Sequence, residues 1–177
     1  MGLDQYLSAS FASYGGYKHV RENPAFATET KLYDAVIAAL GIERSPDMNS
    51  ISVSVQVGYW RKANHIHKWF IDRCGGGDPD CCKMDVSRDD LVALRDLCLR
   101  VKSAAKMEDS SVIEPGKVIA NAKEIAALLP TQSGFFFGST DYDEYYMADI
   151  EHTLEMLGRV LDDPKYKDCE FTYRASW

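Results

Sequence analysis

An uninterrupted alternation of apolar and polar residues marks the clearest strand of the chain, at residues 51–57. Successive side chains of a strand point to opposite faces, so this pattern predicts a half-buried strand that Gly58 is expected to end. Looser patterns predict an opening strand over residues 3–11, a short strand over 83–86 and a final strand over 170–177.

Helical periodicity accounts for most of the remaining chain. Apolar residues three and four positions apart predict a helix that Thr28 or Thr30 caps and Gly41 stops. The same spacing predicts helices over residues 59–73, 87–101, 118–128 and 142–161. Ser87 and Asp90 form a capping pattern at the start of the third helix.

Strands and helices that follow one another without strict alternation indicate an α+β fold. We predict a single domain over residues 1–177, with a mixed or mainly antiparallel sheet of about four to five short strands packed against about four to five helices. No repeat, heptad pattern or linker divides the chain. Its 177 residues are the usual length of one domain with its own core.

Charge and hydropathy exclude several classes of protein. The net charge of −7 disfavours direct nucleic-acid binding through a basic face. No apolar run approaches the roughly 18 residues that a membrane span requires. Residues 1–5 lack the basic and apolar regions of a signal peptide. We therefore expect a cytoplasmic protein that does not bind membranes.

Five cysteines, an odd number, are most simply free thiols in a reducing compartment. Zinc is the alternative, because His65 and His67 lie near Cys74, Cys81 and Cys82. Histidines two residues apart fall on different sides of a helix, and adjacent cysteines are poorly spaced ligands. We predict no metal and no cofactor.

Two polar residues interrupt the expected apolar face of the second predicted helix. Trp60, Asn64 and His67 share that face at 3.6 residues per turn, whereas Arg61 and His65 point mostly elsewhere. Either Asn64 and His67 bind backbone groups and fix the packing, or they face a pocket in which His67 exchanges a proton near neutral pH. No nucleophile motif accompanies them, so we predict no catalytic residue.

Three consecutive phenylalanines between Gly134 and Gly138 make residues 129–146 the most unusual stretch of the chain. We predict a short strand at residues 135–137 whose backbone bends at both glycines. Alternation would place Phe136 opposite its two neighbours, so that an aromatic face meets another element, a partner or a flat ligand.

The residues after the phenylalanines predict the start of the last helix. Ser139 or Thr140 is the expected N-cap. Asp141, Asp143 and Glu144 suit the positive end of a helix and would repel a phosphate there. Their spacing matches no calcium loop, so solvated acids at the helix start are the expectation.

The second predicted helix and residues 129–146 are expected to meet and form the binding site. The predicted binding residues are Trp60, Arg61, Asn64, His67, Ser133, Phe136, Ser139, Tyr142, Glu144 and Tyr145.

The motifs YWRKAN at residues 59–64, IHKWF at 66–70 and LPTQSGFFFGSTDYDEYY at 129–146, with both chain ends, carry a resemblance to known proteins. The chain resembles a family of small proteins of uncharacterised activity from bacteriophages, prophages and some bacteria. The resemblance implies a phage or mobile-element setting, in which small acidic cytosolic proteins often inhibit or divert host systems.

Two functions are therefore expected. The first is a binding protein that inhibits a host protein in the host cytoplasm, with a protein of anti-phage immunity as one possible target. The alternative is a binding protein or enzyme for a nucleotide-like ligand in a pocket between the two stretches. There, Arg61 or Lys62 would meet charge, tyrosines would stack and His67 would handle a proton.

Overall fold

The computed structural model describes residues 2–77, 83–110 and 116–177 and has the predicted α+β class. Its strands are β1 (Asp4–Ser13), β2 (Ile51–Arg61), β3 (Lys83–Val86), β4 (Met107–Asp109), β5 (Lys117–Ile119) and β6 (Glu170–Ser176). Its helices are α1 (Lys18–Arg21), α2 (Ala27–Ala39), α3 (Asn64–Cys74), α4 (Arg88–Ala104), α5 (Ala122–Leu128) and α6 (Glu144–Asp162). Within the described ranges, no helix combines the length and the apolar character needed to cross a bilayer.

The strands form two antiparallel sheets. The larger sheet has the order β2-β1-β6-β3, and the smaller one pairs β4 with β5. Along β6, Phe171 lies opposite Val86 and Tyr173 lies opposite Met84, and all four side chains are buried. Alternation therefore directs the apolar residues of β6 into the core, as the sequence predicts for the final strand.

The chain divides into two compact units. The first comprises Met1–Ala9 and Gln56–Trp177, and the second comprises Ser10–Val55, so β1 and β2 contribute residues to both. In the second unit, the Arg21 guanidinium donates two hydrogen bonds of 2.9 Å to the Asp34 carboxylate. The expectation that the whole chain is one domain remains a prediction.

Helix α4 begins with the predicted capping box and packs against α6 in the first unit. Ser87 Oγ accepts a hydrogen bond from the Asp90 N–H (3.1 Å), and the Ser87 N–H donates to Asp90 Oδ2 (3.2 Å). The buried stripe of α4 consists of Leu91, Leu94, Cys98 and Val101. These residues have the helical spacing from which the helix is predicted.

The second predicted helix is wrong in its first turn. Strand β2 continues through Gly58 to Arg61, and α3 begins only at Asn64. Gly58 does not end the strand but permits a close approach inside it, because a Cβ atom there would lie 2.7 Å from the Met156 sulfur. Trp60 therefore projects from a strand and does not share a helical face with Asn64.

Residues 135–137 form a turn instead of the predicted strand. The Phe137 N–H donates to the Gly134 carbonyl (3.2 Å), and Gly138 has a φ of +88°, which a glycine adopts without strain. The chain therefore reverses here. The expected alternation also fails, since Phe135 is 94 % exposed while Phe137 is buried.

Candidate functional site

The two stretches predicted to meet do so through the side chain of Asn64. Its Nδ2 donates to the carbonyls of Phe137 (3.1 Å) and Ser139 (2.7 Å), and its Oδ1 accepts from the Gln132 N–H (3.0 Å). Asn64 is 1 % exposed, so these bonds satisfy a buried amide and hold the phenylalanine turn against the start of α3. They support the packing alternative for this residue.

A cavity of about 410 Å³ lies beside this junction, within the first unit. The end of β2 and the start of α3 contribute Arg61, Lys62, Asn64 and His65 to its wall. The segment before α6 contributes Thr131, Gly138, Ser139, Asp141 and Asp143. Helix α6 contributes Tyr145, Tyr146, Ala148 and Asp149. Its volume is typical of small-ligand sites.

Arg61 and Lys62 give the cavity an exposed positive edge. Lys62 has a φ of 62°, a left-handed conformation that is uncommon for a residue with a side chain. Its N–H donates to the Leu3 carbonyl at 2.7 Å. A Cβ atom on Gly138 would lie 3.0 Å from the Lys62 Cβ, so glycine allows the turn to lie against this lysine. The strained backbone holds two adjacent cations at the cavity edge.

The acidic side of the cavity includes the N-cap of α6. Asp143 Oδ1 accepts hydrogen bonds from the N–H groups of Tyr145 and Tyr146, each at 3.0 Å. The prediction that Ser139 or Thr140 caps this helix is therefore wrong. The helix begins later, at Glu144, and a carboxylate satisfies its first N–H groups in place of a hydroxyl.

Asp149 is a second half-buried carboxyl of this cavity, beside Asp143. Its side chain has no hydrogen bond or ion pair with any of the residues that the structure describes. Burial and the nearby charge of Asp143 raise the pKa of Asp149 to about 7. At neutral pH the carboxyl is therefore close to half protonated. Asp141, by contrast, accepts a hydrogen bond from Ser139 Oγ (2.7 Å).

His65 forms a buried part of the cavity wall. It is 2 % exposed, and its ring centroid lies 4.2 Å from that of Tyr146. Burial lowers the pKa of His65 to about 3, so its ring is neutral. The buried Nε2 atom has no hydrogen-bond partner among the described residues. His65 thus lines the cavity and carries a buried polar atom that no described residue satisfies.

His67 lies in the core and does not line this cavity. Its Nδ1 is 2.8 Å from the Tyr173 hydroxyl, and its ring packs edge-on against Phe137 and Trp177, with both centroids at 5.3 Å. Burial lowers the pKa of His67 to about 4. The ring is therefore neutral at physiological pH, and its contacts support a packing role.

The remaining predicted residues divide between the cavity and its surroundings. Arg61, Asn64, Ser139 and Tyr145 line the cavity. Tyr142 is half-buried, and its hydroxyl accepts a hydrogen bond from the Thr131 N–H (3.1 Å). Trp60 is buried and donates from Nε1 to Thr153 (2.8 Å). Outside the cavity wall, Phe136 is half-buried and Ser133 and Glu144 are exposed.

The described part of the chain contains no group of three or more histidine, cysteine or acidic side chains placed to hold a metal ion. Cys74, Cys98 and Cys169 carry free thiols. Burial raises the pKa of Cys74 to about 11 and that of Cys98 to about 12, so both stay protonated. Cys81 and Cys82 lie outside the described residues.

Sequence reasoning missed His65 and Asp149. The expected buried face is defined by Trp60, Asn64 and His67 and leaves His65 outside it, but Trp60 lies in β2 and the first turn of α3 is buried on more than one side. Asp149 lies three residues after buried Tyr146 and four before buried Thr153. This spacing places an acid beside the buried stripe of a helix. It is the sequence pattern from which Asp149 could be identified.

Comparisons with protein-family models, curated proteins and solved structures find no match to this chain. The geometry of the cavity is therefore the guide to its function.

Proposed function

We propose that this chain is a binding protein for a small, nucleotide-like ligand held in the cavity between the start of α3 and the start of α6. One observation supports the proposal above others. A cavity of about 410 Å³ brings together two exposed cations, an exposed aromatic ring and the half-buried carboxyl of Asp149, which has no partner among the described residues. Ligand sites combine an enclosed volume with a few converging polar groups in this way.

Each part of a nucleotide has a suitable surface in the cavity. Arg61 and Lys62 favour a phosphate, whereas Asp141 and Asp143 disfavour one, so the charges orient an anionic ligand. Tyr145 is 75 % exposed and offers a ring on which a base can stack. The carboxyl of Asp149 is available to a polar base edge.

Calorimetric titration with the monophosphates of adenosine, guanosine, cytidine and uridine tests this proposal. The variant Ala148→Trp places a large side chain at an exposed position of the cavity wall. Ala127→Trp is the matched control, because Ala127 is an exposed helical alanine outside the cavity. We expect at least one nucleotide to bind the natural chain and Ala127→Trp, and to lose about tenfold or more in affinity for Ala148→Trp.

Two results would count against a nucleotide site. One is the absence of binding by all four compounds. The other is equal affinity for the natural chain and Ala148→Trp.

A second candidate function is the inhibition of a host protein in the host cytoplasm, in the phage setting that the resemblance implies. One surface feature favours it. Phe135 is 94 % exposed at the tip of its turn, and aromatic side chains are common anchors of protein interfaces. The net charge of −7 favours a partner with a basic surface.

Phe135→Ser separates this candidate from the first. A host protein recovered with the natural chain would be purified and titrated directly against each variant. We expect Phe135→Ser to weaken that complex at least about tenfold, while Leu40→Ser, which alters a side chain that is 63 % exposed elsewhere, leaves it unchanged. Equal affinities for both variants would exclude Phe135 as the anchor.

A further inference from the structure

Among the described residues, four buried side-chain polar atoms lack a hydrogen-bond partner, and His65 Nε2 is the one that belongs to a residue of this cavity wall. The residue is 2 % exposed, it lines the cavity, and its Nε2 lacks a hydrogen-bond partner among the residues described. A buried nitrogen without a partner is unfavourable, so native proteins rarely retain one without a water or a ligand to satisfy it. The His65 ring packs against that of Tyr146, with centroids 4.2 Å apart and planes tilted by 33°.

Asp149 lines the same cavity from α6. The other two carboxyls already accept protein hydrogen bonds, Asp143 from two backbone N–H groups and Asp141 from Ser139. The Asp149 carboxyl accepts none from the described residues. It therefore retains its full capacity to accept hydrogen bonds from a ligand.

We infer that His65 and Asp149 form the part of the cavity that recognises the base, and that the preferred ligand is a nucleotide whose base carries an exocyclic amino group. This inference rests on the proposed nucleotide-binding function. It adds two residues that the sequence did not single out, and it narrows the class of ligand.

The hydrogen-bonding capacities of the two side chains support an amino-bearing base. The ionised Asp149 carboxylate only accepts hydrogen bonds, so it pairs with an exocyclic amino group and opposes a carbonyl in the same position. An amino group that donates to the carboxylate stabilises this form over the protonated one, which lowers the pKa of Asp149 in the complex. Neutral imidazole has one donor and one acceptor nitrogen, so His65 can bind a neighbouring ring nitrogen or N–H of the same base once a shift of its side chain opens the buried Nε2 to the cavity. Together they discriminate between amino and carbonyl groups on one edge.

None of the other charged groups described near Asp149 pairs with its carboxyl, so the carboxyl stays available to a base. Within the cavity these are Arg61, Lys62, Asp141 and Asp143. A neighbouring cavity of about 500 Å³ shares Asp149 and adds His152 and Arg159. His152 Nε2 lies 2.8 Å from the Tyr59 carbonyl, and Arg159 pairs with Glu155 at 3.2 Å, so both already have partners.

Pairs of nucleotides that differ at the amino group test the inference. The pairs are cytidine and uridine monophosphate, adenosine and inosine monophosphate, and guanosine and inosine monophosphate. In at least one pair, the amino-bearing member should bind the natural chain about tenfold more tightly. Asp149→Asn should reduce that preference to about twofold or less, because an amide presents a donor as well as an acceptor. His65→Phe, which keeps a ring against Tyr146, should weaken the preferred nucleotide about fivefold or more.

The outcomes separate this inference from the proposed function. Failure of all these nucleotides to bind, or equal binding by Ala148→Trp, would overturn both. Binding that Ala148→Trp abolishes, but with no amino preference in the natural chain or with the same preference in Asp149→Asn, would overturn the inference alone. Thermal unfolding of each variant establishes that a lost preference does not come from a lost fold.

Discussion

Burial sets the charge of three side chains in the first unit, and it does so in opposite directions. It lowers the pKa of His65 to about 3 and that of His67 to about 4, while it raises the pKa of Asp149 to about 7. Both histidines are therefore neutral at physiological pH, whereas Asp149 is present in both its protonated and its ionised form. His65 and Asp149 line the cavity, and His67 lies outside its wall.

The histidines and Asp149 have opposite effects on the pH dependence of stability. Below pH 6.5 the unfolded histidines bind protons that the folded ones do not, so stability is lost as the pH falls toward about 4 for His67 and toward about 3 for His65. Between about pH 4 and pH 7 folded Asp149 keeps a proton that the unfolded chain releases. Its contribution therefore decreases as the pH rises through that window and stays constant above it.

Asp149→Asn should stabilise the protein most at high pH, because the amide need not ionise. We expect a gain in the free energy of unfolding of about 2 kcal/mol at pH 8, after allowance for partial exposure of the carboxyl. The gain should shrink to below about 0.5 kcal/mol at pH 4, where folded and unfolded carboxyls are both largely protonated. Urea unfolding at a series of pH values measures the difference, and a gain independent of pH would show that Asp149 titrates normally.

Among the secondary-structure elements, those with local signals were predicted well. The alternation at residues 51–57, the capping box before α4 and the stripe of α6 each depend on residues close in sequence. The start of α3 was not predictable, because what makes Gly58 compatible with a strand is the close approach of Met156, a residue about a hundred positions away. The turn at residues 135–137 likewise depends on a distant amide, that of Asn64.

The candidate site was predictable only in part, because contacts between residues distant in sequence also determine which side chains line it. Asn64, Ser139 and Tyr145 lie in stretches with unusual local patterns, Arg61 is predicted for its charge, and all four line the cavity. His65 and Asp149 have ordinary local patterns. Their importance comes from what surrounds them after folding, namely Tyr146 beside the imidazole and the charge of Asp143 near the carboxyl.

Asn64 is the main connection between α3 and the phenylalanine turn, so removing its amide should affect both. We expect Asn64→Ala to lower the free energy of unfolding by about 3 kcal/mol, because three hydrogen bonds are lost and the Gln132 N–H is left without its partner. Ser133→Ala, just before the same turn and at an exposed position, should change stability by less than about 0.5 kcal/mol. Chemical denaturation of both variants measures the effects, and equal losses would show that the turn is held by other contacts.

At the scale of the whole molecule, the cavity belongs entirely to the first unit, while the second unit has its own close contacts. The backbone of Gly16 is one of these. Its N–H donates to the Asn49 carbonyl at 3.1 Å, and a Cβ atom on Gly16 would lie 2.3 Å from the Met48 carbonyl oxygen. Backbone atoms cannot move aside as a flexible side chain can, so this position requires glycine.

Gly16→Ala therefore tests whether the chain unfolds as one domain. All three tryptophans, at positions 60, 69 and 177, belong to the first unit, so their fluorescence reports on that unit alone. Because β1 and β2 contribute residues to both units, we expect one cooperative transition and a lower fluorescence midpoint in urea, corresponding to a loss of about 1–3 kcal/mol. Amide exchange establishes that residues 10–55 are destabilised. If residues 10–55 are destabilised but the fluorescence midpoint is unchanged, the two units unfold separately. The prediction of a single domain is then wrong.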